Sequence, residues 1–134
     1  MAPLKTYREL EVWQKGIEMV EAVYRLSKTF PNEERFGLTS QMQRAAVSVP
    51  ANIAEGYGRM SRPDYLHHLA IARGSLMELE THLTIAVRLD FAQRDQALPV
   101  WDLSQQVGRL LHGLIQSLRR GNSTPKPRPP NPKP

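Results

Sequence analysis

Apolar residues recur along this chain at alternating intervals of three and four, the repeat of an amphipathic helix, and they do so in four separate stretches. In the first, Leu10, Trp13, Ile17, Val20 and Tyr24 form one stripe, with Val12, Met19, Val23 and Leu26 in a second beside it, which predicts a helix from about Glu9 to Thr29. Two adjacent stripes make a surface wider than a coiled-coil seam, so this helix should touch more than one neighbour. Phe30-Pro31-Asn32 breaks it. A second helix is predicted from after Asn32 to about Glu55, with Leu38, Met42, Ala45, Ala46, Val49 and Ile53 inward. Pro50 lies inside it and, lacking a backbone donor, predicts a kink near Ala46 to Pro50. Gly56 and Gly58 are the expected left-handed terminators.

The third stretch opens on Ser61 as N-cap, with Pro63 and Asp64 in the first turn, and runs to about Asp90 on Leu69, Ala72, Leu76, Leu79, Leu83 and Ala86. The fourth is expected to start after Pro99 and end near Gly121, with Leu103, Val107, Leu110 and Leu114 inward and Leu111, Ile115 and Leu118 beside them. Short connections force successive helices to lie side by side in opposite directions. The expectation is therefore all-α: an antiparallel up-down-up-down four-helix bundle over residues 1–121, its second helix kinked at Pro50. Residues 122–134 contain six prolines, which forbids a helix and predicts a disordered, extended tail.

Charge sharpens this division. Residues 1–118 hold 13 Lys+Arg against 13 Asp+Glu, whereas Arg119, Arg120, Lys126, Arg128 and Lys133 come after them with no acid, so the net +5 belongs to the end of the chain. That basic end is the main expected contact for nucleic acid, with Arg59, Arg62 and Arg44 as a smaller group on the bundle. The absence of cysteine excludes disulfides, thiolate metal sites and a Cys nucleophile. Glu78 and His82 are four apart and no Glu-x-x-His pair is repeated, so no di-iron site is expected, and the two read as a surface pair. No cofactor or metal is implied. No run reaches the ~20 apolar residues of a membrane span, and the start lacks a signal-peptide core, which predicts a cytoplasmic protein off the membrane.

Two groups of residues could carry function. Beside the apolar face of the second helix, Gln41, Arg44, Ser48, Asn52 and Glu55 stack on one side at spacings of 3, 4, 4 and 3. This stripe is either a solvated face or a contact with a neighbouring helix or subunit, where Ser48 and Asn52 bond near the carbonyls freed by Pro50. Separately, Arg62 and the pair His67-His68 match the Arg-x4–6-His spacing of the HEPN ribonucleases, where such residues would stabilise and protonate a cleaved phosphate; Ser61 capping explains the same residues. Gly74-Ser75, inside the third helix, suggests close helix contact.

The segment Ser48-Val49-Pro50-Ala51-Asn52-Ile53-Ala54-Glu55-Gly56, with Leu38 to Gln41 before it, Gly58 to Ser61 after it, and Trp13-Gln14-Lys15 and Gly74 to Thr81 elsewhere, resembles the 23S rRNA-intervening sequence protein family. The resemblance implies a small four-helix bundle that assembles as a pentameric ring. It makes Gln41, Ser48, Pro50, Asn52, Glu55 and Gly56 the candidate structural or interface set. The related accessory proteins of diversity-generating retroelements bind a reverse transcriptase and nucleic acid. The resemblance thereby implies a non-enzymatic homo-oligomeric scaffold for RNA, DNA or a nucleic-acid-processing protein such as a reverse transcriptase, with a HEPN-like ribonuclease as the alternative.

Overall fold

A computed structural model describes residues 6–122. Among these, four α-helices and two short 3-10 turns make up the regular structure: α1 (Glu11–Ser27), α2 (Leu38–Tyr57), α3 (Arg62–Arg88) and α4 (Arg94–Asn122), with turns at Tyr7–Glu9 and Asn32–Glu34. Each helix packs on two others, α1 on α2 and α4, and α3 on α2 and α4, so the four form a square with α1–α2 and α3–α4 as opposite sides. Contacts pair rising positions with falling ones: Gly16 meets Pro50 while Ser27 bonds Gln43, and Asn52 meets His68 while Ser48 bonds Ser75. α4 continues to Asn122, and the rest of the predicted tail, 123–134, lies outside the described residues.

The helix ends follow local chemistry. Ser61 caps α3, its hydroxyl accepting from Asp64 N–H at 3.2 Å. α3 closes on Asp90 at φ 63, where the Phe91 and Asp90 amides donate to the Ala86 and Val87 carbonyls, a turn usually given to glycine. That turn sets Phe91 against Phe30, ring centres 6.0 Å apart, and ties the α3–α4 connection to the α1–α2 connection. The predicted terminators behave otherwise: Gly56 is buried inside α2, and Gly58 has φ −78, so neither is left-handed. α2 starts at Leu38 rather than after Asn32 because Asn32–Glu34 forms the 3-10 turn, and the Glu34 carboxylate accepts from Leu38 N–H at 3.2 Å.

α4 begins at Arg94, ahead of Pro99 and not after it. Gln96 reaches back to accept from Gln93 N–H at 3.1 Å, the returning half of a capping box, and Ala97 and Val100 bury the first turns. Pro99 therefore sits within the helix at an exposed position.

The core is as predicted on α2 and α3, where Met42, Ala46, Val49, Ile53, Leu69, Ala72 and Leu79 are fully buried. On α4 the predicted inner and outer stripes are exchanged except at Val107, and on α1 the stripe headed by Val12 is the inner one. Val12, Met19, Val23 and Leu26 are buried, whereas Trp13, Ile17 and Val20 are half-buried and Tyr24 is 43% exposed. Likewise Val107, Leu111, Ile115 and Leu118 are buried, and Leu103, Leu110 and Leu114 lie at the core's margin. Gly16 explains the choice on α1. A Cβ there would stand 3.3 Å from the Pro50 Cβ, so the side of α1 carrying Gly16 and Met19 is the one that can approach α2 closely.

Pro99→Ala should stabilise the protein by about 1–3 kcal/mol, because an exposed interior proline costs one helical hydrogen bond and a steric clash. A higher denaturant midpoint at unchanged slope is the expected readout, and a lower midpoint would show that Pro99 is needed where it stands.

Candidate functional site between helices 2 and 3

The α2–α3 contact is built around Gly56. A Cβ on this residue would fall 2.9 Å from the His68 Cβ and 3.2 Å from the Tyr65 carbonyl oxygen, so only glycine permits the approach. Beside it runs a polar seam. Ser75 donates to the Ser48 hydroxyl at 2.7 Å, and Asn52 donates to the Ser48 hydroxyl at 3.0 Å and carbonyl at 2.9 Å. Because a carbonyl only accepts, the Asn52 amide nitrogen is fixed toward Ser48 and its oxygen toward His68 Nδ1, 3.1 Å away. His68 Nδ1 must then carry a proton.

His68 Nε2 is left 3.8 Å from a Glu55 carboxylate oxygen, which also accepts from Arg59 at 2.7 Å. The Arg59 hydrogen bond, followed by the charge of His68 when protonated, holds the Glu55 pKa below the ordinary value. The seam is thus a chain of hydrogen bonds from Ser75 through Ser48 and Asn52 to His68, whose far ring nitrogen faces the exposed Glu55–Arg59 pair across 3.8 Å. Two polar atoms of α3 are buried without a hydrogen-bond partner, the Tyr65 hydroxyl and His82 Nδ1. Burial, then the neighbouring Tyr57, pushes the Tyr65 pKa upward.

The residues read from the sequence separate into groups. Ser48, Asn52, Glu55 and Gly56 meet at the seam, while Gln41 and Arg44 are exposed and take no part in its bonds, and Pro50 faces Gly16 of α1. Asn52 does not cover the Ala46 carbonyl that Pro50 leaves without its usual donor; its amide goes to Ser48 instead. Arg44 lies in a shallow hollow with Tyr24 and Val47 between α1 and α2. Arg59 and Arg62 stand at the α2–α3 junction, and the Arg62 guanidinium lies 3.2 Å from where a Gly121 Cβ would be, so Arg119 and Arg120 share this pole of the bundle. Lys126, Arg128 and Lys133 are outside the described residues.

Arg62 lies beside Gly121 of α4 and His68 Nδ1 faces Asn52 of α2, while the neighbouring His67 is exposed. Gly74 meets nothing within 4 Å, contrary to the expected close contact. His82 does not belong to a surface pair with Glu78, since its Nδ1 is buried. No group of three His, Cys, Asp or Glu residues able to hold a metal occurs among the described residues. The sequence missed His68 and Ser75 as partners of Asn52 and Ser48. The available signal was their placement on one side of α3, two turns apart, opposite a polar pair one turn apart on α2.

Asn52→Leu should cost about 1–3 kcal/mol, because it strips His68 Nδ1–H of its acceptor at a half-buried site. Gly56→Ala should also destabilise by about 1–3 kcal/mol, while Gly74→Ala should stabilise by up to about 1 kcal/mol. Chemical denaturation of the three variants checks the set, and equal effects at Gly56 and Gly74 would contradict the close approach.

A crystal structure of a protein of unknown function from the S23 ribosomal protein family of Bacteroides thetaiotaomicron VPI-5482 has the same fold, with a TM-score of 0.72 and 30% sequence identity over 78% of this chain and 97% of that one. No curated protein matches the chain. The pattern that defines the 23S rRNA-intervening sequence proteins matches residues 8–113, which contain the Gly56 contact and the entire polar seam, and the chain belongs to that family.

Proposed function

We propose that this protein is a non-enzymatic homo-oligomeric scaffold that binds nucleic acid through its basic pole. The carrying observation is the contact of Arg62 with Gly121, which draws the start of α3 to the end of α4 and gathers Arg59, Arg62, Arg119 and Arg120 where the chain continues toward Lys126, Arg128 and Lys133. Repeated in a ring, this pole becomes a dense positive fringe whose contacts add through effective concentration. Binding of this kind is salt-sensitive and tolerant of sequence.

Self-association has its own support. Trp13, Ile17 and Val20 on α1 remain half-buried, and Tyr24 and Val47 are 43% and 42% exposed, so the α1–α2 side presents an apolar strip to solvent. A second copy is the occupant this reading assigns, with five subunits as the number the family resemblance implies. Ile17, half-buried on this strip, is the position that tests it, since Val23 in the neighbouring stripe is fully buried in the core.

Light scattering should give a mass well above the 15.2 kDa of one chain, and Ile17→Glu should lower it without loss of helicity. Replacing Arg119, Arg120, Lys126, Arg128 and Lys133 together by Gln should weaken RNA binding and reduce the slope of log K against log salt by up to about 3.5 per chain, at about 0.7 for each single-strand phosphate contact. An unchanged slope would remove the basic pole from the contact. Absence of binding by the native chain at low salt would leave a protein-interaction scaffold.

A further inference from the structure

At the other pole, where α3 ends and α4 begins, the two helices enclose a hollow of about 480 Å³. Val87 and Leu98 line it, Trp101 forms part of its wall, and Arg88 and Arg94 enter it from the two facing helices. Folding leaves Leu98 48% and Trp101 39% exposed here. A second hollow of about 440 Å³ continues the groove past Met77 and Gln105 to Arg109 and His112. On α4 the positions 94, 98, 101, 105, 109 and 112 follow one another at intervals of four or three, so they lie along one side of the helix.

Arg88 stands in the last turn of α3, where the helix dipole favours a cation, whereas Arg94 and Arg109 have no folding role that explains them. Arg88, Arg94 and Arg109 are exposed, and among the described residues no carboxylate lies within ion-pair distance of any of them. Arg94 stands in the first turn of α4, where the helix dipole disfavours a cation. A local rule broken without a compensating contact points to function. Glu80, the carboxylate among the residues lining the groove, is engaged within it, accepting from the Gln105 amide at 3.2 Å, and partial burial raises its pKa.

An exposed indole sharing a hollow with two unpaired guanidinium groups, in a groove that continues to further cations, matches a strand of unpaired bases: each base offers a flat face and each linkage one negative charge. A duplex offers no free base face. We propose that the α3–α4 groove binds single-stranded nucleic acid, with Trp101 as a stacking platform and Arg88 and Arg94 contacting neighbouring phosphates. This rests on the nucleic-acid reading above and deepens it, but places a contact at the pole opposite Arg119 and Arg120.

The test uses the full chain carrying Trp13→Phe, which leaves Trp101 as the sole tryptophan. It is titrated at low salt with a mixed-sequence RNA strand of about twelve nucleotides, the matching DNA strand, and the duplex. Single strands should quench Trp101 fluorescence more than the duplex does; Trp101→Ala should weaken binding, read by anisotropy of a labelled strand, about tenfold. Arg88→Gln with Arg94→Gln should lower the salt slope by about 1.4. Quenching should persist when the five basic-pole charges are replaced.

Binding without quenching, or unaffected by Trp101→Ala and the arginine substitutions, would overturn the groove assignment while leaving the basic pole intact. Equal quenching by an oligoglutamate peptide would also overturn it, making the groove a site for acidic protein segments. No binding by the native chain would overturn both readings.

Discussion

The separation between α2 and α3 is set by a missing side chain. Gly56 lets the two backbones close until a methyl group would overlap His68 and Tyr65, and the polar seam exists because of that spacing. At a wider distance Ser75 would not reach Ser48 at 2.7 Å, nor His68 reach Asn52 at 3.1 Å. Each of these groups is partly withdrawn from water, so a lost partner is costly, and the bonds reward one register of α2 on α3 over its neighbours. Apolar packing alone would tolerate sliding by a turn. The seam does not.

A similar economy operates on the other side of α2. Pro50, which weakens its own helix, presents a rigid ring to Gly16 of α1, so a residue unfavourable to helix formation becomes a contact surface. α2 is thus held on both flanks at points where glycine faces it or belongs to it, and the small residues that make the helix intrinsically poor let its neighbours come near.

Much of the fold was legible because periodicity and capping speak locally. Ser61 caps where its side chain predicts, and Met42, Val49 and Ile53 face the core. The errors arose where the answer depends on a neighbour. α1 and α4 each carry two apolar stripes, and nothing within either helix says which one faces inward; on α1, Gly16 against Pro50 decides it from outside. Pro99 read as a start signal because proline favours first turns, but Gln93 and Gln96 had already made one. Gly56 and Gly74 look alike in sequence, and only the packing distinguishes a glycine pressed against a helix from one facing open space. In the seam, Ser48 and Asn52 were visible as a stripe on α2. His68 and Ser75 were not, since their role exists only across the contact. The Arg94-to-His112 stripe escaped for another reason: it mixes charged, aromatic and amide residues, and no hydropathy count registers it.

The length of α3 gives the molecule a scale. Its 27 residues span about 40 Å, with Arg62 at one end and Arg88 at the other, so the two cationic ends of the bundle are held apart by a rod that does not change length. The Phe30–Phe91 contact braces the end that carries the α1–α2 and α3–α4 connections, and the α2–α3 connection lies at the opposite end beside the last turn of α4. The bundle works as a ruler: anything gripping both ends must bridge that fixed distance, and shorter ligands have to choose one.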